Sequence, residues 1–262
     1  MPTFLHDGLR IAWREQGDGP LLLIVPGSTT SSAHHAGELE HFGRRYRTVA
    51  LDLPGTGDSD RIDVWPDDWW PRGARCAAAL VRHLGATSVT VAGTSGGAIV
   101  ALHMAAFEPG LVRAVIADSC VPRYDPDLLR RAAVLRNIQT PAMVAFWQAG
   151  HGDDWERVIR ADGAFLERIA ALGGDPFGNV PERVQCPVLF TASLGDELLG
   201  DIGEGTLELV RRVRGSRAHL LDRGGHPMMF TRADAFRRAA DAFLAELDAR
   251  AESGERPGAA DS

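Results

Sequence analysis

The hydrophobic pattern alternates between short, continuously apolar runs and longer amphipathic segments. Apolar runs of strand length lie at 21–25, 46–52, 88–94, 112–117, 186–193 and 218–222. Runs of this kind are typical of parallel strands that are covered on both faces. The segment 4–15 alternates instead and turns at Asp7-Gly8, with Leu9, Ile11 and Trp13 on one face, so it predicts an antiparallel pair. The pattern favours an α/β protein with a mostly parallel sheet.

Helical patterns follow most of these strands, and one block is helical throughout. A helix is expected from about Arg72 to Leu84, and the region from about Val121 to Arg183 carries helical stretches around 126–137, 141–149 and 154–172. An all-helical block between strands of an α/β chain indicates an inserted cap. We therefore expect a core of residues 1–118 and 185–250, a helical cap over 119–184, and a polar, disordered tail over 251–262.

Composition restricts the class of partner. The 262 residues are 45% hydrophobic and carry a formal net charge of −7, and no basic face for nucleic acid is apparent. The sequence shows neither a secretory signal pattern nor an apolar run of membrane-spanning length, so we expect a cytoplasmic protein that acts on a small molecule. Cys76, Cys120 and Cys186 lack metal-ligand spacing and are expected to be reduced, packed thiols. Neither a metal nor a cofactor is predicted.

The segment 88–102 reads as a strand, a sharp turn and a helix, with Ser95 at the bend. Gly93-Thr94-Ser95-Gly96-Gly97 fits the pattern G-x-S-x-G, in which small residues let strand and helix approach while the serine hydroxyl points outward. A larger residue at Gly93 or Gly97 should clash. The five-residue pattern also occurs by chance as a plain glycine-rich turn, so its weight comes from the strand before it and the helix after it.

A serine hydroxyl needs a base and a third group that orients the base. His226 follows the last predicted strand, and Asp196 follows the strand at 186–193, which keeps the chain order serine, acid, histidine. Glu197 and Asp118, which ends the strand at 112–117, are alternative acids. Among the other histidines, His83 and His103 fall on helices. His34 and His35 follow a loop and either touch substrate or, as is commoner, are solvated.

The loop after the first parallel strand supplies candidates for binding. The backbone N–H groups of Ser28 and Gly96 are predicted to form an oxyanion hole. Candidate pocket residues are Thr29, Phe146, Trp147 and Met229, with Trp155 and Phe165 as further candidates for an apolar roof supplied by the cap. Trp65, Trp69 and Trp70 precede the helix at 72–84 and either line a pocket mouth or cover an edge of the core, the commoner outcome for large aromatics.

Five segments together resemble the α/β-hydrolase superfamily: Pro26-Gly27-Ser28, 52–59, 93–97, Gly195-Asp196 and Gly225-His226. The resemblance spans nearly the whole chain. It implies an eight-stranded, mostly parallel sheet with helices on both faces and a helical cap inserted after strand 6. A serine nucleophile separates the chain from relatives that use aspartate, the epoxide hydrolases and haloalkane dehalogenases.

Two segments, 184–189 and 215–220, are similar to the biphenyl-hydrolase-like, valacyclovir-cleaving esterases. In that subgroup a carboxylate directly follows the nucleophile and receives the amino group of the substrate, whereas Gly96 stands here. We therefore expect neutral, fairly hydrophobic esters to be preferred over α-amino esters.

The function predicted from the sequence is that of a serine hydrolase that cleaves a carboxylic ester, lactone or thioester through an acyl-enzyme. A second class remains open on the same scaffold: a perhydrolase, a cyclase or an enzyme that cleaves a carbon–carbon bond. A third class is a ligand-binding receptor with little turnover. The fold alone does not choose among them.

Overall fold

A computed structural model describes residues 1–253, so residues 254–262 of the predicted tail lie outside the described part. The chain forms one eight-stranded sheet. The strands are β1 (Thr3–His6), β2 (Leu9–Gln16), β3 (Leu21–Val25), β4 (Arg47–Leu51), β5 (Val89–Thr94), β6 (Val112–Asp118), β7 (Val188–Ser193) and β8 (Arg217–Leu221). Their order is β1-β2-β4-β3-β5-β6-β7-β8, and only the pairs β1–β2 and β2–β4 are antiparallel. The predicted fold class is confirmed.

Ten helices connect the strands within residues 1–253. They are α1 (Ala36–Phe42), α2 (Trp69–His83), α3 (Gly96–Phe107), α4 (Pro126–Leu135), α5 (Pro141–His151), α6 (Trp155–Ala171), α7 (Val180–Arg183), α8 (Ile202–Arg212), α9 (Met228–Thr231) and α10 (Ala233–Glu252). Helix α2 begins three residues before the predicted start at Arg72. Pro71 lies in its first turn, where the N–H that proline lacks would have no helical partner.

The central strands are buried on both faces. Alternate residues of β3 divide between two apolar clusters: Leu21 and Leu23 pack with α2 and α3 on one face, and Leu22 packs with α10 on the other. Apart from His103, helix α3 consists of apolar residues, and residues 96–106 of it are buried. A helix of this composition is stable only inside a protein. Strand β5 and helix α3 therefore hold their junction rigidly at the carboxyl edge of the sheet.

Four helices, α4 to α7, lie between β6 and β7, in the region where the sequence predicts a cap. Trp65 and Trp69 stack with ring centroids 4.2 Å apart, and both rings contact Phe165 of α6 at 6.0 and 5.8 Å. Both indoles are almost completely buried. They cover a core edge, the commoner of the two outcomes expected for them.

All three cysteines are unpaired and buried, and burial raises the pKa of the Cys76 thiol to about 12. Within the part of the chain that the structure describes, every helix is too short or too polar to cross a membrane.

Candidate functional site

Ser95 occupies the turn between β5 and α3 with φ 52° and ψ −122°, in the left-handed half of backbone space. A non-glycine residue in such a conformation is strained and is held by its surroundings. The glycines on either side make this possible. A Cβ on Gly93 would lie 2.2 Å from the carbonyl oxygen of Gly97, and a Cβ on Gly97 would lie 2.1 Å from the carbonyl oxygen of Val25. Both positions show the clash that the motif predicts.

The structure brings Ser95, His226 and Asp196 together in one chain of hydrogen bonds. Ser95 Oγ lies 2.9 Å from His226 Nε2, and His226 Nδ1 lies 2.7 Å from Asp196 Oδ2. A carboxylate only accepts, so Nδ1 carries the proton and Nε2 is free to accept from the serine. The other carboxylate oxygen, Asp196 Oδ1, accepts from the backbone N–H groups of Leu198 and Leu199, both at 2.9 Å. The side chain of Asp196 is buried and fixed in orientation.

The alternative acids have other partners. Glu197 accepts the backbone N–H of His226 at 3.2 Å and does not bond its ring. Asp118 is fully buried and accepts three hydrogen bonds, from Thr94 Oγ1, Thr191 Oγ1 and the N–H of Met229, at 2.9, 2.7 and 3.0 Å. Burial outweighs these bonds and raises the pKa of Asp118 to about 6. Asp118 thus ties β5, β6, β7 and α9 together beneath the histidine loop.

The predicted oxyanion donors are neighbours. A Cβ built on Gly96 would lie 3.3 Å from the backbone nitrogen of Ser28 and 2.7 Å from its Oγ. The N–H of Gly96 is the first of α3, where the positive end of the helix dipole favours a developing negative charge. Because Ser28 approaches so closely, a side chain at position 96 would require Ser28 to move.

Asp52, directly after β4, connects the loop that follows β3 with the loop that follows β4. Its carboxylate accepts the N–H of Ser32 at 2.7 Å and the N–H of Asp58 at 2.9 Å. Gly57 passes directly over it, since a Cβ there would lie 2.1 Å from the carboxyl carbon of Asp52. The sequence pattern at 52–59 gives no sign of this role.

Helix α5 is pinned to the same loops by two histidines. His151 Nδ1 accepts the N–H of Gly57 at 3.0 Å, and its Nε2 donates to the carbonyl of Thr29 at 3.1 Å. Burial lowers the pKa of His151 to about 4, so the ring is neutral and this tautomer is fixed. His34 bonds the carbonyl of Phe146 at 3.0 Å. His35 is fully buried, which corrects the expectation of a solvated loop histidine.

A cavity of about 40 Å³ adjoins Ser95. Its floor comes from the junction of β5 and α3 and from the β3 loop, its roof from α4, and its sides from α2, α6 and the loop after β7. The lining residues are Ser28, Trp70, Ser95, Gly96, Tyr124, Leu128, Leu129, Ala132, Arg136, Leu166, Leu198 and Leu199. The cavity is predominantly apolar, as is usual for small-molecule sites.

This lining differs from the predicted one. Among the described residues, the four cap aromatics that the sequence suggested are not part of it. Trp147 stacks on Trp155 at 5.4 Å, Phe165 packs on the indoles of α2, and Phe146 stacks on His34 at 4.1 Å. Trp147 and Trp155 thus pack within the cap, whereas Phe165 and Phe146 attach the cap to the core.

The other two predicted pocket residues also lie elsewhere. Met229 is fully buried in the core under α10. Thr29, buried with φ 60°, presents its carbonyl to His151. Trp70, one of the three indoles, does reach the cavity, and its buried Nε1 has no hydrogen-bond partner in residues 1–253.

Known proteins resemble this chain in sequence and in fold. The serine hydrolase BPHL of Mus musculus is 28% identical over 249 residues, which is 91% of this chain and 84% of that protein. An esterase of Thermogutta terrifontis shares the fold with a TM-score of 0.74 at 20% identity, covering 94% of this chain and 97% of that one. For an enol-lactonase of Burkholderia xenovorans the TM-score is 0.77 at 17% identity, with 93% and 100% covered.

A family model described as the alpha/beta hydrolase family matches residues 22–239. The chain is therefore a hydrolase, and it belongs to the alpha/beta hydrolase family.

Proposed function

We propose that the protein is a serine hydrolase that cleaves a carboxylic ester, lactone or thioester of a small, mostly apolar substrate. The observation that carries the proposal is the unbroken chain from Ser95 through His226 to Asp196 at an apolar cavity. The constellation makes the hydroxyl nucleophilic at neutral pH. The names of the similar proteins, a serine hydrolase, an esterase and an enol-lactonase, support the same chemistry.

In the proposed reaction Ser95 Oγ attacks the substrate carbonyl while His226 Nε2 takes the hydroxyl proton. The N–H groups of Gly96 and Ser28 bind the resulting oxyanion, and Asp196 stabilises the imidazolium. His226 then gives the proton to the leaving group, which departs and leaves an acyl-enzyme. A water molecule, activated by the same histidine, hydrolyses that ester and restores Ser95.

A fluorophosphonate probe tests the proposal, since it reacts only with an activated serine. We expect one adduct on the wild-type protein, located on Ser95 by peptide mapping, and none on Ser95→Ala. Ser216→Ala is the matched control, because its hydroxyl donates to the backbone carbonyls of Val210 and Val213, which do not line the cavity at Ser95. An adduct on another serine, or equal labelling of Ser95→Ala, contradicts the assignment.

A short-chain 4-nitrophenyl ester separates the functional classes. A serine hydrolase turns this ester over, and where deacylation is the slow step it first releases a burst of nitrophenol equal to the enzyme concentration. An enzyme of another class on this scaffold labels with the probe without sustained ester turnover, and a receptor gives neither result.

A further inference from the structure

One charged side chain lines the cavity at Ser95. Among the described residues of that lining, Arg136 and the Tyr124 phenol are the two ionisable side chains, and only Arg136 is charged at neutral pH. Most of the other residues are leucine, alanine or tryptophan. A cation placed against apolar surface is unfavourable unless it is paired. Arg136 is therefore expected to have an anionic partner beside the cavity.

Arg136 directly follows α4, the helix that roofs the cavity, and it is held from behind by α6. Its Nε donates to Asp162 Oδ2 at 2.7 Å, and Asp162 is completely buried. The stem of Arg136 passes over Gly163, where a Cβ would lie 3.6 Å from Arg136 Cβ. The side chain is 16% exposed, so its conformation is set by protein contacts.

The ion pair with Asp162 leaves much of the guanidinium unused. Only Nε is engaged, and within residues 1–253 neither Nη1 nor Nη2 donates a hydrogen bond. On the other side, Asp162 Oδ1 is buried and has no partner in the same residues. Arginine–carboxylate pairs are frequently bidentate, which satisfies both oxygens and engages an Nη group. Here the carboxylate orients the guanidinium and leaves its Nη groups available.

We propose that Arg136 determines specificity by binding a carboxylate of the substrate, through the Nη groups that Asp162 leaves free. The inference rests on the proposed hydrolase function and narrows the substrate class to esters, lactones or thioesters that carry an anionic group beyond the reacting carbonyl. A planar guanidinium suits this task because its paired N–H groups match the two oxygens of a carboxylate. The same cation repels ammonium groups, which agrees with glycine at position 96.

Paired 4-nitrophenyl esters test the proposal. One series has straight acyl chains of four to eight carbons that end in a carboxylate, and the other replaces that carboxylate by an isopropyl group of the same shape. Rates are corrected for the uncatalysed reaction. For at least one chain length we expect the wild type to prefer the anionic ester, and Arg136→Gln to lower the anionic-to-neutral ratio of kcat/KM by at least about tenfold.

Two further variants separate recognition from folding. Arg136→Gln leaves Asp162 buried without a cation and could unfold the cap, so the double variant Arg136→Gln/Asp162→Asn removes both charges and keeps a hydrogen-bonding pair. It should fold and show the same loss of preference. Arg130→Gln removes an equal charge from an exposed site on α4, where the arginine pairs with Asp127, and should leave the ratio unchanged.

The proposal is overturned if the anionic-to-neutral ratio of kcat/KM stays the same in Arg136→Gln and in the double variant. Both esters would then be slowed equally, which shows that Arg136 has a structural role. Binding of the same esters to Ser95→Ala, measured by calorimetry, does not depend on turnover. If the wild type turns over none of the esters, the hydrolase function is contradicted but the role of Arg136 is not. Tighter binding of the anionic ester, lost when Arg136 is replaced, still supports this inference. Equal binding of both esters refutes it.

Discussion

At the scale of single residues, two buried carboxylates near the histidine loop differ in what they bond. Asp196 receives the ring N–H of His226, and Asp118 receives two hydroxyls and a backbone N–H. We expect Asp196→Ala to lower kcat by about 10⁴-fold, because the imidazole loses its tautomer and the charge that stabilises it. Asp118→Asn should keep kcat within about tenfold, since an amide can still accept from Thr94 and Met229. Steady-state kinetics on an aryl ester measures both.

Asp118→Ala provides the complementary result. It removes the acceptor of three buried donors and should lower the free energy of unfolding by about 2–4 kcal/mol. Denaturant unfolding checks this value. If Asp118→Asn lost activity as Asp196→Ala does, while remaining as stable as the wild type, Asp118 would be the catalytic acid.

Gly96 offers a second residue-scale prediction. A Cβ at position 96 would lie 2.7 Å from Ser28 Oγ and 3.3 Å from the Ser28 backbone nitrogen, so any side chain there requires Ser28 to shift. We expect Gly96→Ala to displace an oxyanion donor and lower kcat by about 10²- to 10³-fold. The double variant Gly96→Ala/Ser28→Gly removes the hydroxyl and should recover part of the loss. Failure of that rescue would show that the two residues do not share the site.

At the scale of elements, the sequence predicts the strands well and the roof of the cavity poorly. Continuous apolar runs predict β3 and β5 because burial on both faces demands them, and the change of period at Ser95 marks the turn. The roof was predicted on the aromatics of α5 and α6. It is built by Leu128, Leu129 and Ala132 of α4. The angle at which the helices pack decides which helix covers the site, and the hydrophobic pattern of the sequence does not encode that angle.

Helix α5 gives a prediction about pH. His151 is neutral in the fold, with a pKa of about 4 against an ordinary value near 6.5, so the unfolded chain binds its proton more readily. Its contribution to stability is complete above pH 6.5 and is lost as the pH falls to about 4. His151→Gln should therefore flatten the dependence of unfolding free energy on pH between these values, by at most about 1.4 kcal/mol per pH unit. Unfolding curves at several pH values measure it.

His35 titrates in the same direction, because burial lowers its pKa to about 3. Some acid sensitivity will therefore persist in His151→Gln. Above pH 6.5 the variant and the wild type should differ by a constant amount only. An equal slope for both proteins below pH 6.5 would show that His151 is not the titrating group.

At the scale of the whole molecule, the site is assembled from distant parts of the chain. Ser95 follows β5 in the middle of the sheet, Asp196 follows β7 and His226 follows β8. The rule that parallel strands present their carboxyl ends at one edge made this convergence predictable. The position of Arg136 was not predictable, because its role depends on how α4 packs against Asp162 of α6.

The size of the cavity has a kinetic consequence. About 40 Å³ holds no more than a few water molecules, and an engineered protein cavity of about 150 Å³ is filled by a single benzene. Ser95 itself is partly exposed, but a substrate that fills the cavity needs α4 to move outward, and we expect the product to leave by the same motion. Turnover on a reactive ester should then follow the rate of that motion. We expect kcat to fall with added viscogen for the wild type, whereas for Asp196→Ala, in which chemistry is slow, kcat should be independent of viscosity.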